Sequence, residues 1–486
     1  MNTKEKKLEG GYFLIQVLVF GSIAILVIGA LISFTNTNML LGRKSISREE
    51  AFQAAEAGIE YYRWHLAHAN TDYTDGTGNP PPYVHNFYDK NDNLIGTYEL
   101  TITPPPVGST LVKIKSEGRS VADPSVKRII ISQLAIPSFA KFAFVSNSDM
   151  RFGQGTEIFG PIHSNRGIRL DGLAHNLVTS SLSSYDDPDH SGALEFGVHT
   201  HVNPPPESGI NGTFRALEAP PNSVSVRSDV FMIGRQFPVP AVDFTGITAD
   251  LSKMKTDAQI AGKYFDPSGA QGYKIVMKTN GTFDLYRVTS LVNPPSKCTN
   301  SNSQTGWGTW SVNASTFISN YAYPENGIIF VEDNVWVEGT LNVTRVVIAS
   351  ARFPDNPTTH SSITINNNLL YTDYSGIDVL GLVAQGNINV GMISQDILRI
   401  DAALIAQNGR VGRYYYGSNC TSYVRSTITL YGMIGTALRY GFAYTDNTGY
   451  INRNIIYDPN LLYAPPPAFP LTSDQYQIIS WKEEVN

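Results

Sequence analysis

The fold of this 486-residue chain is decided by Leu8-Glu-Gly-Gly-Tyr-Phe-Leu-Ile-Gln-Val-Leu-Val-Phe20, which opens an apolar run that continues to Phe34. No charged side chain occurs in residues 12–34. A helix of about 23 residues, rising about 1.5 Å per residue, can cross a hydrocarbon core of roughly 30 Å. The sequence therefore predicts a transmembrane helix over 12–34.

The residues on either side of this run distinguish it from a cleaved secretory signal. A signal peptide has a shorter apolar core with a small-residue cleavage site behind it, whereas the full-length run here is followed by Thr35-Asn-Thr-Asn38. In front of the run, a short leader with three lysines ends in Gly10-Gly11. This order resembles the class III leader of type IV pilins and pseudopilins, in which a membrane-bound prepilin peptidase cuts after a glycine. The resemblance implies a leader over 1–11, cleavage between Gly11 and Tyr12, and an apolar helix retained on the mature protein.

The fifth mature position departs from the pilin pattern. Pilins usually carry Glu there, whereas counting from Tyr12 gives Gln16. An amide can donate and accept hydrogen bonds, but it cannot form an ion pair with the N-terminal ammonium of a neighbouring subunit. The usual contact between subunits is therefore open to question at Gln16.

A second motif follows the apolar run in Arg48-Glu-Glu-Ala-Phe-Gln-Ala-Ala-Glu-Ala-Gly-Ile-Glu-Tyr-Tyr62. It resembles the PilX-type minor pilins, whose N-terminal helix continues with a similar Ala-Ala-Glu-Ala-Gly segment. The resemblance implies that everything after about Thr35 lies outside the cytoplasm. It also implies a single-pass cell membrane protein before assembly and a position on the cell surface or pilus afterwards. The alternative is an ordinary single-span anchor on a secreted domain.

Composition sets outer limits on the function. The chain is long enough for two or three compact units, and its abundant Gly, Tyr, Asn, Thr and Pro favour strands and turns over helical bundles. A formal charge of −6 and the lack of a basic stripe predict no nucleic-acid partner. The two cysteines, Cys298 and Cys420, are permitted to form a disulfide outside the cytoplasm, although the sequence does not show whether they meet.

The first part of the chain has the pattern of a helix followed by a small sheet. Ser47 and Glu50 have the form of a capping box, and apolar residues then recur at spacings of three and four. The pilin helix is predicted over 12–68. Alternation and turns predict a β-meander over 69–137, with its strands at 98–102, 111–116 and 128–134.

Later regions show short strands punctuated by glycine. Gly381-Leu-Val-Ala-Gln385 is matched about 22 residues later by Ala403-Leu-Ile-Ala-Gln407, and such a period is typical of a β-solenoid. This portion also resembles the large C-terminal domains of some PilX-like proteins. We predict a first solenoid part over 138–240, an inserted α/β segment over 241–324, a second solenoid part over 325–440 and a C-terminal tail along the surface over 441–486. The inserted segment is predicted to contain a short helix over 247–260 and a hairpin around Asn280-Gly281.

No catalytic or cofactor-binding motif stands out. Asp378 and Asp401 are isolated on otherwise apolar or amide-bearing strands, and no nucleophile elbow, P-loop or Cys-x-x-Cys is present. His199 and His201 are weak candidates for metal ligands, because strand alternation would place both imidazoles on one face, with Asp186, Asp187, Asp189 and His190 shortly before. Without a third fixed ligand, a solvated loop is the better interpretation, and no metal or cofactor is assigned.

Tyrosines are frequent in the last third of the chain, among Asn, Ser, Thr and Gly. Exposed tyrosines can recognise glycans or proteins through flat amphipathic contacts, although they can equally be ordinary solenoid surface. The residues concerned are Tyr414, Tyr415, Tyr416, Tyr423, Tyr440, Tyr444 and Tyr450.

The sequence thus predicts a mainly β protein with a long N-terminal transmembrane α-helix. It also predicts that the protein is not an enzyme. The resemblance implies a PilX-like minor pilin that displays a large extracellular head for adhesion or for priming assembly. Its implied partners are other pilin subunits, the prepilin peptidase, the pilus assembly machinery, the membrane, and a surface glycan or protein receptor. The rival interpretation is a membrane-anchored β-helix enzyme or binding protein acting on polysaccharide.

Overall fold

The computed structural model describes residues 10–105 and 109–484. Contacts divide the chain into two compact units. The first comprises Met1–Pro104, Val112–Leu134 and Ile478–Asn486, and the second comprises Pro105–Leu111 and Ala135–Gln477. Both units are rich in strands, and the chain is mainly β with one long apolar helix at its start, as predicted.

The helices are α1 (Gly10–His68), α2 (Ile247–Ala261) and α3 (Asn460–Tyr463), with 3₁₀ turns at Phe139–Lys141 and Ala216–Glu218. The strands of the first half are β1 (Tyr83–Tyr88), β2 (Leu94–Thr103), β3 (Val112–Ser120), β4 (Lys127–Ala135), β5 (Phe144–Ser146), β6 (Met150–Phe152), β7 (Glu157–Phe159), β8 (Ile162–Ser164), β9 (Ile168–Leu170), β10 (Leu173–Ala174), β11 (Val178–Ser180), β12 (Ser184–Tyr185), β13 (Glu195–Phe196), β14 (Val198–His199) and β15 (Arg235–Gln236). Those of the second half are β16 (Lys263–Phe265), β17 (Gly272–Met277), β18 (Thr282–Leu291), β19 (Val312–Ala322), β20 (Ile328–Val331), β21 (Val335–Leu341), β22 (Arg345–Ser350), β23 (Ile363–Thr364), β24 (Leu369–Tyr371), β25 (Val379–Ala384), β26 (Ile388–Val390), β27 (Ile397–Ala406), β28 (Val411–Arg413), β29 (Val424–Thr436), β30 (Gly449–Tyr457) and β31 (Gln477–Glu484).

The first unit packs the second half of α1 against a five-stranded sheet. Strands β1 to β4 follow one another as antiparallel neighbours, and β31 lies beside β4. The predicted meander strands correspond to β2, β3 and β4, although β3 begins one residue later than the predicted strand over 111–116. The end of the C-terminal tail is therefore a strand, held by the Ser132 hydroxyl, which donates to the Ser480 carbonyl at 3.0 Å, and by an ion pair between Arg128 and Glu483.

One face of α1 is buried where it meets this sheet. Its buried side chains recur at helical spacing and are Ala51, Ala54, Ala55, Ile59, Tyr62 and Leu66. Phe52 lies at the edge, with its ring centroid 6.3 Å from that of Trp481. Ser47, the first residue of the capping-box pattern, lies inside α1 and is buried.

Glycines allow the close approach of α1 and β3. A Cβ atom built on Gly118 of β3 would lie 2.0 Å from the Ala51 carbonyl oxygen and 2.4 Å from the Ala55 amide nitrogen. Both atoms belong to the backbone of the helix, so the clash cannot be relieved by a side-chain rotation. The helix can dock at this distance only because residue 118 has no side chain.

Gly118→Ala is therefore expected to destabilise the first unit by about 1–3 kcal/mol or more, as overpacking does in tight cores. The measurement is urea unfolding of the full chain in detergent. The control is Gly42→Ala in α1. An added Cβ there meets nothing within 4 Å, so this substitution should be neutral or slightly stabilising. Equal stability of the two variants would contradict this account of the packing.

Most strands of the second unit pair in parallel with their neighbours in a stack. One ladder runs through β20, β22, β25, β27, β29, β5, β8, β11 and β15. Its aligned positions form a buried apolar column of Ile329, Ile348, Leu382, Leu404, Ile434, Phe144, Ile162 and Val178. A second column, from a neighbouring ladder, consists of Leu369, Ile400, Leu430, Ile455, Ile158 and Ala174.

The order of the stack differs from the order of the chain. The last strand of the later stretch, β29, pairs with the first strand of the earlier stretch, β5, through Ile434 and Phe144. The regions 138–240 and 325–440 therefore contribute to one continuous stack. Part of the segment between them joins the opposite end, where β16 pairs with β20 and β17 with β21, both in parallel.

Helix α2 covers the outer face of this stack. Its buried residues Ile247, Leu251, Met254 and Ala258 pack in one cluster with strand side chains such as Phe330. The helix predicted over 247–260 and the hairpin predicted around Asn280-Gly281 are both present, the latter as antiparallel β17 and β18.

Candidate functional site

The first half of α1 is the candidate membrane anchor. Among the described residues, α1 is the one helix that is long and apolar enough to cross a membrane. Its apolar side chains from Tyr12 to Phe34 are exposed, with Tyr12 at 80%. A polar solvent would make such a surface costly, so it requires lipid or apolar helices of other chains around it.

The predicted cleavage site lies at the start of this helix. Residues 1–9 of the predicted leader lie outside the described residues, and the backbone of Gly10 and Gly11 forms the beginning of α1. The side chain of Gln16 is exposed and lies one helical turn after Tyr12. Residues four apart share a helix face, so the amide of Gln16 lies on the same side of α1 as the residue predicted to carry the new N-terminus.

A second candidate site consists of three histidines and two carboxylates in the second unit. One ligand-type atom from each of Asp187, His190, Glu195, His199 and His201 lies within 4.8 Å of the others. Their side chains are at most 6% exposed. The expectation of a solvated loop at His199 and His201 is therefore wrong, because both imidazoles are enclosed by the segment that carries them.

The Glu195 carboxylate is the centre of this cluster. Its Oε2 atom lies 2.9 Å from His190 Nε2 and 3.0 Å from His199 Nε2, and its Oε1 atom lies 3.1 Å from His201 Nε2. Asp187 Oδ2 lies 3.3 Å from His190 Nε2 and 3.5 Å from His199 Nε2. All three imidazoles thus direct their Nε2 atoms at Glu195, and those of His190 and His199 also lie near Asp187.

The sequence indicated only part of this group. Of the acidic residues noted before His199, Asp187 joins the cluster, whereas Asp186 and Asp189 are exposed and Asp189 pairs with Arg439 at 2.6 Å. Glu195 was missed because it stands alone in Gly-Ala-Leu-Glu-Phe. The signal that could have found it is its spacing, four residues before His199 and six before His201.

Surrounding groups orient the cluster. The amide of Arg215 donates to Glu195 Oε1 at 2.9 Å, and His201 Nδ1 contacts the Asn211 carbonyl oxygen at 2.5 Å. A carbonyl can only accept, so His201 Nδ1 carries a proton. In the neutral ring the lone pair is then on Nε2 and directed at the cluster.

The electrostatics of the cluster favour charged carboxylates. Burial would raise the pKa of the Asp187 and Glu195 carboxyls, but contacts with His199 outweigh it, so both pKa values lie well below the usual range. Burial would likewise lower the pKa of His199, but Asp187 and Glu195 raise it above its ordinary value. The pocket is thus a buried anionic site that attracts positive charge.

The cysteines form a separate structural centre. Cys298 and Cys420 are joined by a disulfide, with their Cα atoms 4.6 Å apart. The bond is buried with Met392, Tyr414 and Tyr416, and Trp307 and Trp310 pack against this group. Tyr414, Tyr416 and Tyr450 are therefore core residues and do not form an exposed recognition surface.

Asp378 and Asp401, the two acids that are isolated in the sequence, both accept hydrogen bonds in the structure. Asp378 is buried and accepts hydrogen bonds from the amides of Thr344, Thr372 and Asp373. Asp401 accepts from the Tyr374 hydroxyl at 2.7 Å, and from the Arg399 guanidinium and the Tyr371 amide. Both carboxylates hold loops of the stack, which accounts for their presence without a catalytic role.

No family model matches the chain, and a search of curated proteins finds no match. Among solved structures, the chain is similar to the competence-associated pilin ComZ from Thermus thermophilus. The identity is 16%, the alignment covers 90% of this chain and 97% of that one, and the TM-score is 0.29. At this level of similarity, the functional interpretation rests on the residues and contacts of the chain itself.

Proposed function

We propose that this chain is a PilX-like minor pilin subunit of a type IV pilus or related filament. The observation that carries the proposal is the build of α1, whose first half exposes an uncharged apolar surface while its second half packs on an antiparallel sheet. Such a helix can lie in the membrane before assembly and in the apolar interior of a filament afterwards. The Gly10-Gly11 leader and the PilX-like motif after the span support the same conclusion.

The second unit is the head in this proposal. Its parallel ladders have apolar columns inside, which supports a β-solenoid, although the number of residues between aligned positions varies from one strand to the next. The head would be displayed outside the cell, for adhesion to a surface glycan or protein or for priming assembly. The proposed layout keeps the leader at 1–11, the pilin module up to 137, the solenoid parts at 138–240 and 325–440, and the insertion at 241–324. The region from 441, predicted as a tail along the surface, contributes β30 to the stack and β31 to the sheet of the first unit.

The rival function, a polysaccharide-degrading β-helix enzyme, would require an accessible acidic or metal-binding groove. The acids Asp378 and Asp401 are engaged in loop contacts, and the histidine cluster is enclosed. These observations favour a non-enzymatic subunit.

Gln16 leads to a prediction about position in the filament. In an apolar interior, the ammonium that cleavage leaves on Tyr12 is costly unless a negative charge pairs with it. Gln16 cannot supply that charge to a neighbour, whereas a neighbour's Glu can still serve Tyr12 of this chain. A subunit that can pair with only one of its two neighbours suits the end of a filament. A head as large as the second unit, most of which is Ala135–Gln477, also has more room at a tip.

We therefore expect low copy number at or near the filament tip, with Gln16→Glu leaving processing intact. Immunogold labelling of the head on intact filaments measures the position, and a filament without this subunit is the labelling control. Regular labelling along the whole shaft would contradict the tip assignment while leaving the pilin proposal in place.

A further inference from the structure

The cluster around Glu195 has the composition and geometry of a metal centre. We propose that Asp187, His190, Glu195, His199 and His201 bind one first-row divalent cation, Zn²⁺, which clamps an irregular part of the head. The proposal is independent of assembly into a filament, because it rests on contacts within the second unit.

The distances between the ligand atoms match a coordination shell. Ligand atoms about 2.1 Å from a first-row metal ion lie about 3.0 Å apart along the edges of an octahedron and about 3.4 Å apart along those of a tetrahedron. The contacts between the imidazole Nε2 atoms and the carboxylate oxygens fall between 2.9 and 3.5 Å. The five ligand atoms spread over up to 4.8 Å, slightly more than the separation of about 4.2 Å between opposite ligands of one ion, so binding would draw the side chains inward by a few tenths of an ångström.

His199 gives an independent sign that a ligand is required. It is fully buried, yet neither of its ring nitrogens has a hydrogen-bond partner among the described residues. Its Nε2 atom is 3.0 Å from Glu195 Oε2, but the contact lacks the direction of a hydrogen bond. A buried nitrogen left in this way costs about 1–3 kcal/mol, whereas a metal ion would use its lone pair.

Charge also favours a divalent cation. The buried side chains here include the carboxylates of Asp171, Asp187 and Glu195 and one guanidinium, that of Arg169. Asp171 is served by guanidinium groups, with Arg169 at 2.8 Å and Arg151 at 3.9 Å, and Arg169 also lies 3.4 Å from Asp187. The carboxylates that face the imidazoles are those of Asp187 and Glu195. With neutral imidazoles, two negative charges remain in a low-dielectric region, and one divalent ion would balance them.

The donor types select among metals. Three imidazole nitrogens with carboxylate oxygens suit Zn²⁺ and its first-row neighbours, whereas Ca²⁺ and Mg²⁺ prefer oxygen alone. The enclosure of all five side chains leaves no approach for a substrate, so the site is structural. Its ligands lie in a segment whose regular structure is limited to the two-residue strands β12, β13 and β14. The ion would hold this segment in place, as strand pairing does in the rest of the second unit.

The test uses the full chain in detergent, purified without a metal-affinity column. Mass spectrometry of the metals is expected to find about one equivalent of zinc per chain. After chelation, added Zn²⁺ should rebind and raise the unfolding temperature in a concentration-dependent way, since the ion binds the folded state. Proteolysis after chelation should cut first within 186–215, and zinc should protect that segment.

The matched variants separate the site from other histidines. His199→Gln combined with His201→Gln is expected to bind no zinc, whereas His360→Gln should bind as the parent does, because His360 pairs with Asp355 at 2.9 Å outside the cluster. Zinc retained in the double variant would overturn the proposal. If the double variant does not fold, zinc titration of the chelated parent is the deciding measurement. A folded parent whose dissociation constant for zinc is above about 1 μM would show that the cluster is a buried histidine–carboxylate network without a metal.

Discussion

A Gly11→Val variant is expected to keep its leader, to remain in the membrane and to be absent from filaments. The proposed peptidase must bring the carbonyl of residue 11 into its active site, and a branched side chain there would obstruct the backbone. Because the leader carries Lys4, Lys6 and Lys7 directly before the apolar run, an uncut chain would have to bring these charges into the apolar filament interior. The effect should therefore be close to all or none.

Immunoblots of membrane and sheared-filament fractions measure this result. Gly10→Val is the matched control, since it makes the same change one residue earlier and leaves the residue at the cut unchanged. We expect the control to be processed and the Gly11 variant to be retained at full length. Equal processing of both variants would show that the cut does not occur after Gly11.

Loss of the disulfide is expected to lower the free energy of unfolding of the head by about 4 kcal/mol. Cys298 and Cys420 are 122 residues apart in sequence, and a cross-link that closes so long a loop removes much conformational freedom from the unfolded chain. The bond also joins the segment before β19 to the turn after β28, with Met392 buried between them. The double variant Cys298→Ala with Cys420→Ala should show the loss in urea unfolding.

Reduction of the parent chain provides the control for lost packing. Reductant should destabilise the parent and leave the double variant unchanged, which separates the cross-link from the volume of the two sulfur atoms. Thiol titration of unfolded, unreduced parent should find no free thiol. Two free thiols per chain in that experiment would contradict the pairing.

Local patterns predicted the parts of the fold that depend on neighbouring residues. The apolar run to Phe34, the spacing of Ala55, Ile59 and Tyr62, and the turn at Asn280-Gly281 each act over a few residues, so helix and hairpin follow from them directly. The capping-box pattern at Ser47 and Glu50 is a local signal for a helix start, yet α1 already runs through both residues, so this pattern sets no helix boundary here.

Contacts between distant residues could not be predicted in the same way. The pairing of Ile434 with Phe144 joins two stretches in reverse order, and alternation in either strand does not indicate which strand lies beside it. Tyr414 and Tyr416 have polar neighbours in sequence, and only the disulfide and the tryptophans around it bury them. The sequence around His199 and His201 likewise does not show that they are buried, because their surroundings come from Glu195 and Arg215 in other turns of the same segment.

We propose that this chain is cleaved after Gly11 and assembled through its apolar helix. Mass spectrometry of the N-terminal peptide, on protein recovered from sheared and washed filaments, tests it most directly. The account predicts a chain that begins at Tyr12, with an added methyl group on its amine, as the resemblance to pilins implies. An N-terminal peptide that retains Met1 and the leader on filament-derived protein would contradict it.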